Sequence, residues 1–311
     1  MNHKFDENTK SAAQPLTRRA ALKTIGLGLA GLALMRFGES RTQAITLGTL
    51  DGDAHPNVGA GVFLKSLWPP IPAPLATGSG TLIHPRVMLT AGHATYFLET
   101  AIAAGAFSLS DFRLSFASNA LDPGSWRTVS GVVTHPDFYA AAQAEPGLGA
   151  VPVPDVGVVI LRDPVAGILP APLPSPGFLD ALQAAGTLRS GPDRSKFTVV
   201  GYGTQLGDPV GELPFPPDGL RRFVQSEFLN LHDRWLFLNQ NFAQGVGGGG
   251  FGDSGGPIFW VDPATGENTI VAITSRGDGR CVATGVCYRL DTEEALIFLQ
   301  TVIAMVDARE L

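Results

Sequence analysis

The chain has 311 residues, 44% of them hydrophobic and 16% charged, with 38 glycines, 24 prolines and a formal net charge of −6. Such a composition supports a packed core with room for two domains, and it favours turns and short strands over long helices. The negative charge argues against nucleic acid as a partner, and two cysteines, Cys281 and Cys287, allow at most one internal bridge.

Residues 1–44 read as an export signal. Thr17-Arg18-Arg19-Ala20-Ala21-Leu22-Lys23 resembles a twin-arginine segment, and a run of Gly, Ala and Leu follows over residues 25–35. Thr42-Gln43-Ala44 then offers the small residues that a signal peptidase reads, and the apolar run is short for a membrane span. The general secretory route would lead to the same compartment. Removal of this segment leaves 15 basic and 25 acidic residues. The expected product is a soluble, acidic, periplasmic or extracellular monomer without stable membrane association.

From residue 45 the pattern is one of strands and turns. His55-Pro56-Asn57-Val58 leads into a strand, residues 69–74 read as a hairpin connection, and residues 78–83 form a strand whose glycines suit close packing. Val87-Met88-Leu89-Thr90 feeds a small-residue turn, Ala91-Gly92-His93, from which an imidazole can project. Residues 113–116 and 129–134 read as strands, and residues 140–154 as a loop rich in Ala, Gly and Pro. Asp155 heads a continuous apolar run to Leu161, the pattern of a buried strand. A buried carboxylate needs partners, and a histidine N–H is one. Asp111, Asp122, Asp137 and Asp163 lack that setting.

Residues 163–192, with prolines at 170, 172, 174 and 176, are too stiff for a core strand and too many for a hairpin. They read as a connection between two barrels. Strands are expected at residues 197–203, twice within 221–238, and at 257–260 and 270–273 around a turn at 263–266. Asp291-Thr292-Glu293-Glu294 starts an amphipathic helix over residues 295–306.

Residues 247–257 read Gly-Gly-Gly-Gly-Phe-Gly-Asp-Ser-Gly-Gly-Pro. A bare glycine run suits a linker. A serine with an acid before it and two glycines after it is more specific. Its hydroxyl becomes a useful nucleophile when a base takes the proton and N–H groups hold the oxyanion. The surrounding glycines let the amides of Gly252 and Ser254 point one way.

Leu89-Thr90-Ala91-Gly92-His93, Asp155-Val156-Gly157-Val158-Val159 and Gly252-Asp253-Ser254-Gly255-Gly256-Pro257 stand in the order and spacing of the trypsin/chymotrypsin-like serine proteases. From residue 45 to the C-terminus the chain resembles a secreted bacterial member of that family. The resemblance implies an all-β fold, two six-stranded Greek-key barrels with the active site between them and a C-terminal α-helix. Residues 45–165 would form the first barrel, 166–196 the connection, 197–290 the second barrel and 291–311 the helix. It implies His93, Asp155 and Ser254 as the catalytic residues and the amides of Gly252 and Ser254 as the oxyanion hole. Gly248, Phe251, Ser275, Arg276 and Gly277 would meet the substrate, with Ser275 also supporting Asp155. Arg276 departs from the aromatic residue usual at its place, and Ala94 from a frequent cysteine.

The resemblance also places Gly248 at the floor of the primary pocket. With Gly248, Gly249 and Gly285 uncharged, and Thr274 where glutamate-selecting members carry histidine, an apolar side chain is expected before the cut bond. Ile45-Thr46-Leu47-Gly48 resembles the family's mature N-terminus, whose new ammonium would pair with Asp253. In an exported chain Cys281 and Cys287, separated by a turn at residues 283–285, are expected to form a disulfide at the pocket wall, the alternative being two reduced thiols. No cofactor or metal is implied, and the partners are protein or peptide substrates.

Two rival classes share parts of this pattern. Gly252-Asp253-Ser254-Gly255-Gly256 also satisfies the nucleophile motif of α/β-hydrolase esterases, but that fold needs a histidine after the serine, and the last histidine here is His232. A catalytically inactive binding protein on the protease fold would be expected to have lost one of the three residues, and all three are present.

Overall fold

The strand-forming stretches close into two six-stranded antiparallel β-barrels. The computed structural model describes residues 47–66, 72–144, 153–204, 217–278 and 283–311. A two-residue strand, β1 (Thr49–Leu50), comes first. The first barrel follows: β2 (Val58–Phe63), β3 (Leu75–His84), β4 (Val87–Thr90), β5 (Phe112–Ser115), β6 (Arg127–Thr134) and β7 (Gly157–Leu161). Its order is β2-β3-β4-β7-β6-β5, closed by the β2–β5 pairing. The second barrel holds β8 (Lys196–Gly201), β9 (Arg222–Leu231), β10 (Trp235–Asn239), β11 (Pro257–Val261), β12 (Asn268–Gly277) and β13 (Thr284–Arg289). Its ring runs β8-β9-β10-β13-β12-β11 and back to β8, with β1 added at one end of β9.

The period-two geometry of strands explains why several of them read as unbroken apolar runs. Val87 and Leu89 join one cluster while Met88 joins another, and Val158 and Ile160 part from Val159 and Leu161 in the same way. The first of these clusters spans both barrels, reaching Tyr202, Phe259, Ile273 and Tyr288. The C-terminal helix seals it. Thr292 caps that helix by accepting the Ala295 N–H, and Phe298, Leu299, Val302 and Val306 bury one face. Each such side chain contributes about 1.5–3 kcal/mol when fully buried.

Among the described residues, three further helices add to the expected one. α1 (Gly92–Ala103) begins directly after β4, so the histidine lies in a first helical turn and not on a simple strand-end turn. Residues 94–103 hold Ala, Leu and Glu without proline or glycine, and Thr95, Leu98 and Ala101 bury one face of the helix. α2 (Pro136–Ala144) starts with proline at the position where its missing N–H costs least. Its last residues were expected to be loop. α3 (Phe178–Ala184) interrupts the proline-rich connection and buries Leu179 in the second barrel's core. The C-terminal helix is therefore α4 (Glu293–Asp307).

Candidate active site

β4 and β7 pair antiparallel, with Thr90 opposite Gly157. His93 lies three residues past the end of β4 and Asp155 two residues before β7, so the ladder brings together side chains 62 positions apart. The backbones come close: a Cβ at Gly92 would lie 2.9 Å from the Val156 nitrogen. His93 Nδ1–H donates to Asp155 Oδ2 at 2.9 Å, and the His93 backbone N–H donates to Oδ1 at 2.8 Å. Ser275 Oγ donates to the same Oδ2 at 2.5 Å.

Burial opposes ionisation of Asp155. The His93 charge, the ring and backbone N–H groups of His93 and the Ser275 hydroxyl outweigh it, and the carboxyl is held below its ordinary value. Burial likewise disfavours a charged His93, yet the Asp155 carboxylate raises its pKa above 6.5, with the Arg276 guanidinium pulling the other way. The His93 side chain is 36% exposed, so water screens the pair in part.

The serine loop is clamped onto the first barrel. Ser79 N–H donates to Ser254 O at 2.9 Å, and Ser79 Oγ donates to Gly252 O at 3.1 Å. Gly255, at φ +80, lies where any side chain would strike Thr90, the Ser79 carbonyl and Ala91. That contact seats the serine loop against the histidine turn. The N–H groups of Asp253, Gly255 and Gly256 donate to Gly250 O, Thr274 O and Asp253 O. The N–H groups of Gly252 and Ser254 have no hydrogen-bond partner among the described residues. Ser254 Oγ makes no hydrogen bond to His93 in this structure, and its residue is half-buried.

No family model and no curated protein matches this chain. The fold itself, two closed six-stranded antiparallel barrels and a C-terminal helix, fits a trypsin-like architecture.

The remaining expected residues surround this centre. Arg276 follows a register shift in β12 and is exposed, its guanidinium stacked 4.4 Å over the Trp235 ring. The side chain thus takes up aromatic surface where an aromatic residue is usual in the resembled family. Gly277 pairs with Gly285 of β13, and Phe251 is half-buried, its carbonyl accepting the Thr204 N–H. Gly248 abuts the side chain of Gln240.

Asp253 is fully buried and accepts the N–H groups of Gly203 at 2.7 Å and Gly250 at 2.9 Å. Its expected partner, Ile45, lies outside the described residues. Cys281 does too, and Cys287 is a free thiol. The expected disulfide at a pocket wall is not supported. The strand alternation of β13 sends Cys287 into the second barrel's core beside Leu236 and Val271, where burial pushes its pKa up to about 12.

The sequence did not disclose a buried polar cluster between the barrels. Arg221 Nε donates to Asp51 Oδ2 at 2.7 Å, both side chains being fully enclosed, and Arg221 Nη1 donates to the carbonyls of Val58 and Phe116. His55 Nδ1 lies 2.5 Å from the other Asp51 oxygen. Nor did it disclose that the His135, Asp137 and Glu294 ligand atoms lie within 4.8 Å of one another. Two of the three are already engaged: Arg234 pairs with Glu294 at 3.0 Å, and His135 Nδ1 accepts the Asp137 backbone N–H.

Proposed function

We propose that this chain is a serine endopeptidase of the trypsin/chymotrypsin-like kind, acting through an acyl-enzyme. The observation that carries the proposal is the hydrogen-bonded series His93–Asp155–Ser275, set against a serine loop whose Gly252 and Ser254 amides have no partner among the described residues.

In this reading Ser254 Oγ attacks the scissile carbonyl carbon as His93 Nε2 takes the hydroxyl proton. The oxyanion that forms is held by the Gly252 and Ser254 amides. His93 then passes its proton to the amine nitrogen as the C–N bond breaks, leaving the acyl group on Ser254. Water, deprotonated by the same imidazole, releases the acid product. Asp155 keeps Nδ1 protonated and stabilises the imidazolium, and Ser275 and the His93 backbone N–H hold the carboxylate in place. Export is part of the proposal and rests on the sequence of residues 1–44. Pairing of a new Ile45 ammonium with Asp253 rests on the resemblance of residues 45–48, and N-terminal sequencing of the secreted, active form would test it.

A fluorophosphonate probe supplies the direct test of the chemistry. The parent protein should be labelled at Ser254 and should cut casein, and Ser254→Ala should do neither. The second reading, an inactive binding protein on this fold, draws on the missing hydrogen bond between Ser254 Oγ and His93. Catalytic hydrogen bonds often tighten only when substrate binds, so the unliganded geometry does not decide against activity. Folded, mature protein that neither reacts with the probe nor cuts casein would favour that second reading.

A further inference from the structure

One buried polar side chain near the serine loop has no partner. Gln240, just past the end of β10, is 2% exposed, and its Nε2 makes no hydrogen bond. Its side chain lies between two glycines. A Cβ at Gly248 would come within 2.5 Å of Gln240 Oε1, and one at Gly285 within 3.0 Å of the same atom. Gly285 stands opposite Gly277 on β12, two residues past Ser275. A few ångströms along the loop, Thr274 Oγ1 is also buried without a partner, 3.4 Å from where a Cβ of Gly249 would be. Gly248 and Gly285 therefore pack directly against Gln240, and Gly249 against Thr274, so two unsatisfied polar groups lie beside backbone that carries no side chain. Native structures seldom leave such groups orphaned, and a ligand atom is one of the partners that can satisfy them.

We infer that Gln240, with Thr274, forms the recognising base of the primary pocket and selects a carboxamide side chain, glutamine or asparagine, at the residue whose carbonyl Ser254 attacks. This rests on the peptidase reading above and revises the apolar preference expected from Gly248 alone. A carboxamide carries both a donor and an acceptor, so it pairs reciprocally with the Gln240 amide and leaves a capacity for the Thr274 hydroxyl. Among the described residues, no charged group is hydrogen-bonded to Gln240 Nε2 or Thr274 Oγ1 to serve a charged side chain as counter-ion. The Asp253 and Asp278 carboxylates are held by backbone amides, and Arg276 is stacked on Trp235. An apolar side chain would leave both groups unsatisfied.

The test is a set of fluorogenic peptide amides identical except at the residue before the cut bond, assayed with the secreted, processed protein, its active sites counted by fluorophosphonate labelling of a separate aliquot. Glutamine or asparagine peptides should exceed leucine, lysine and glutamate peptides in kcat/KM by at least about tenfold. Gln240→Leu should reverse the order of glutamine and leucine, and Gln240→Glu should bring lysine peptides to the front. Thermal melts confirm that each variant is folded. If a labelled parent enzyme prefers leucine, lysine or glutamate, the inference is overturned and the peptidase reading stands. If the parent neither labels nor cuts any peptide, both fall together.

Discussion

Ser275 donates its hydroxyl hydrogen to the same Asp155 oxygen that receives the His93 ring N–H, at 2.5 and 2.9 Å. The carboxylate therefore depends on β12 of the second barrel as well as on the histidine turn of the first. Ser275→Ala removes a hydrogen bond to a buried charged group, a loss of roughly 1.5–3 kcal/mol. Asp155 is held below its ordinary 3.8, so the stability it contributes is complete above that value and is lost as pH falls through the lowered one. With one donor fewer the lowered value moves back up. Acid unfolding followed by circular dichroism should therefore have its midpoint at higher pH in Ser275→Ala than in the parent. An unchanged midpoint would mean that the hydroxyl does not hold the carboxylate.

The pH dependence of activity should carry the mark of His93. A general base must be neutral, and Asp155 raises the pKa of His93 above 6.5 against burial and Arg276. The acid limb of kcat/KM should therefore lie above 6.5, with activity rising as pH climbs through it. The same raised value means that the pair favours the folded state below 6.5 and that this contribution fades as pH rises through the folded pKa. Arg276→Gln removes a nearby positive charge and should move the limb further up. A limb below 6.5 in the parent, or one that moves down in the variant, would contradict this account of the site.

Ser254→Ala and His93→Ala should each lower kcat by several orders of magnitude, and the double variant should be little slower than either. Groups that act as a unit lose their effect once one member is gone. Asp155→Asn should cost about 10⁴ in kcat by presenting the wrong histidine tautomer. Single-turnover hydrolysis of an activated ester provides the measurement, and additive losses in the double variant would separate the two residues into independent roles.

These residues were legible because each sits in a short contiguous motif whose local chemistry is visible in one line of sequence. The strands were legible for the same reason, since apolar runs between glycines and prolines have a strand's length and period. α1 is not visible in the histidine motif itself, because its helix-forming residues lie beyond the motif's last residue and continue to Ala103. Gln240 and the Arg221 cluster were hidden for a different reason. Arg221 and Asp51 are 170 positions apart, and nothing local to either predicts that the fold will enclose them together. Cys287 was misplaced because spacing to another cysteine says nothing about which face of a strand a thiol occupies.

Cys287 offers a chemical check on that face. A buried thiol with its pKa pushed up to about 12 has almost no thiolate at pH 8. Iodoacetamide should leave Cys287 unmodified in the native protein and label it in denaturant without any reductant, as peptide mass spectrometry would show. Protection that persists in denaturant until a reductant is added would instead reveal a disulfide.

The buried pair of Arg221 and Asp51 should dominate the coupling of the N-terminal segment to the two barrels. Burial alone would raise the Asp51 pKa, and the hydrogen bonds of His55 and Arg221 reverse it, leaving a charged carboxylate enclosed in protein. Arg221→Met leaves that carboxylate with His55 as its remaining partner and empties the donor positions facing Val58 O, Phe116 O and Gly52 O. The expected cost is about 3–5 kcal/mol, a fall in Tm on the order of 10 °C. Asp51→Asn, which leaves a neutral acceptor for the guanidinium, should cost less than Arg221→Met. In the double variant no unpaired carboxylate remains, so its loss should be well short of the sum of the two single losses. Denaturant unfolding of all four proteins gives the interaction energy directly. Strictly additive losses would show that the two charges do not depend on one another.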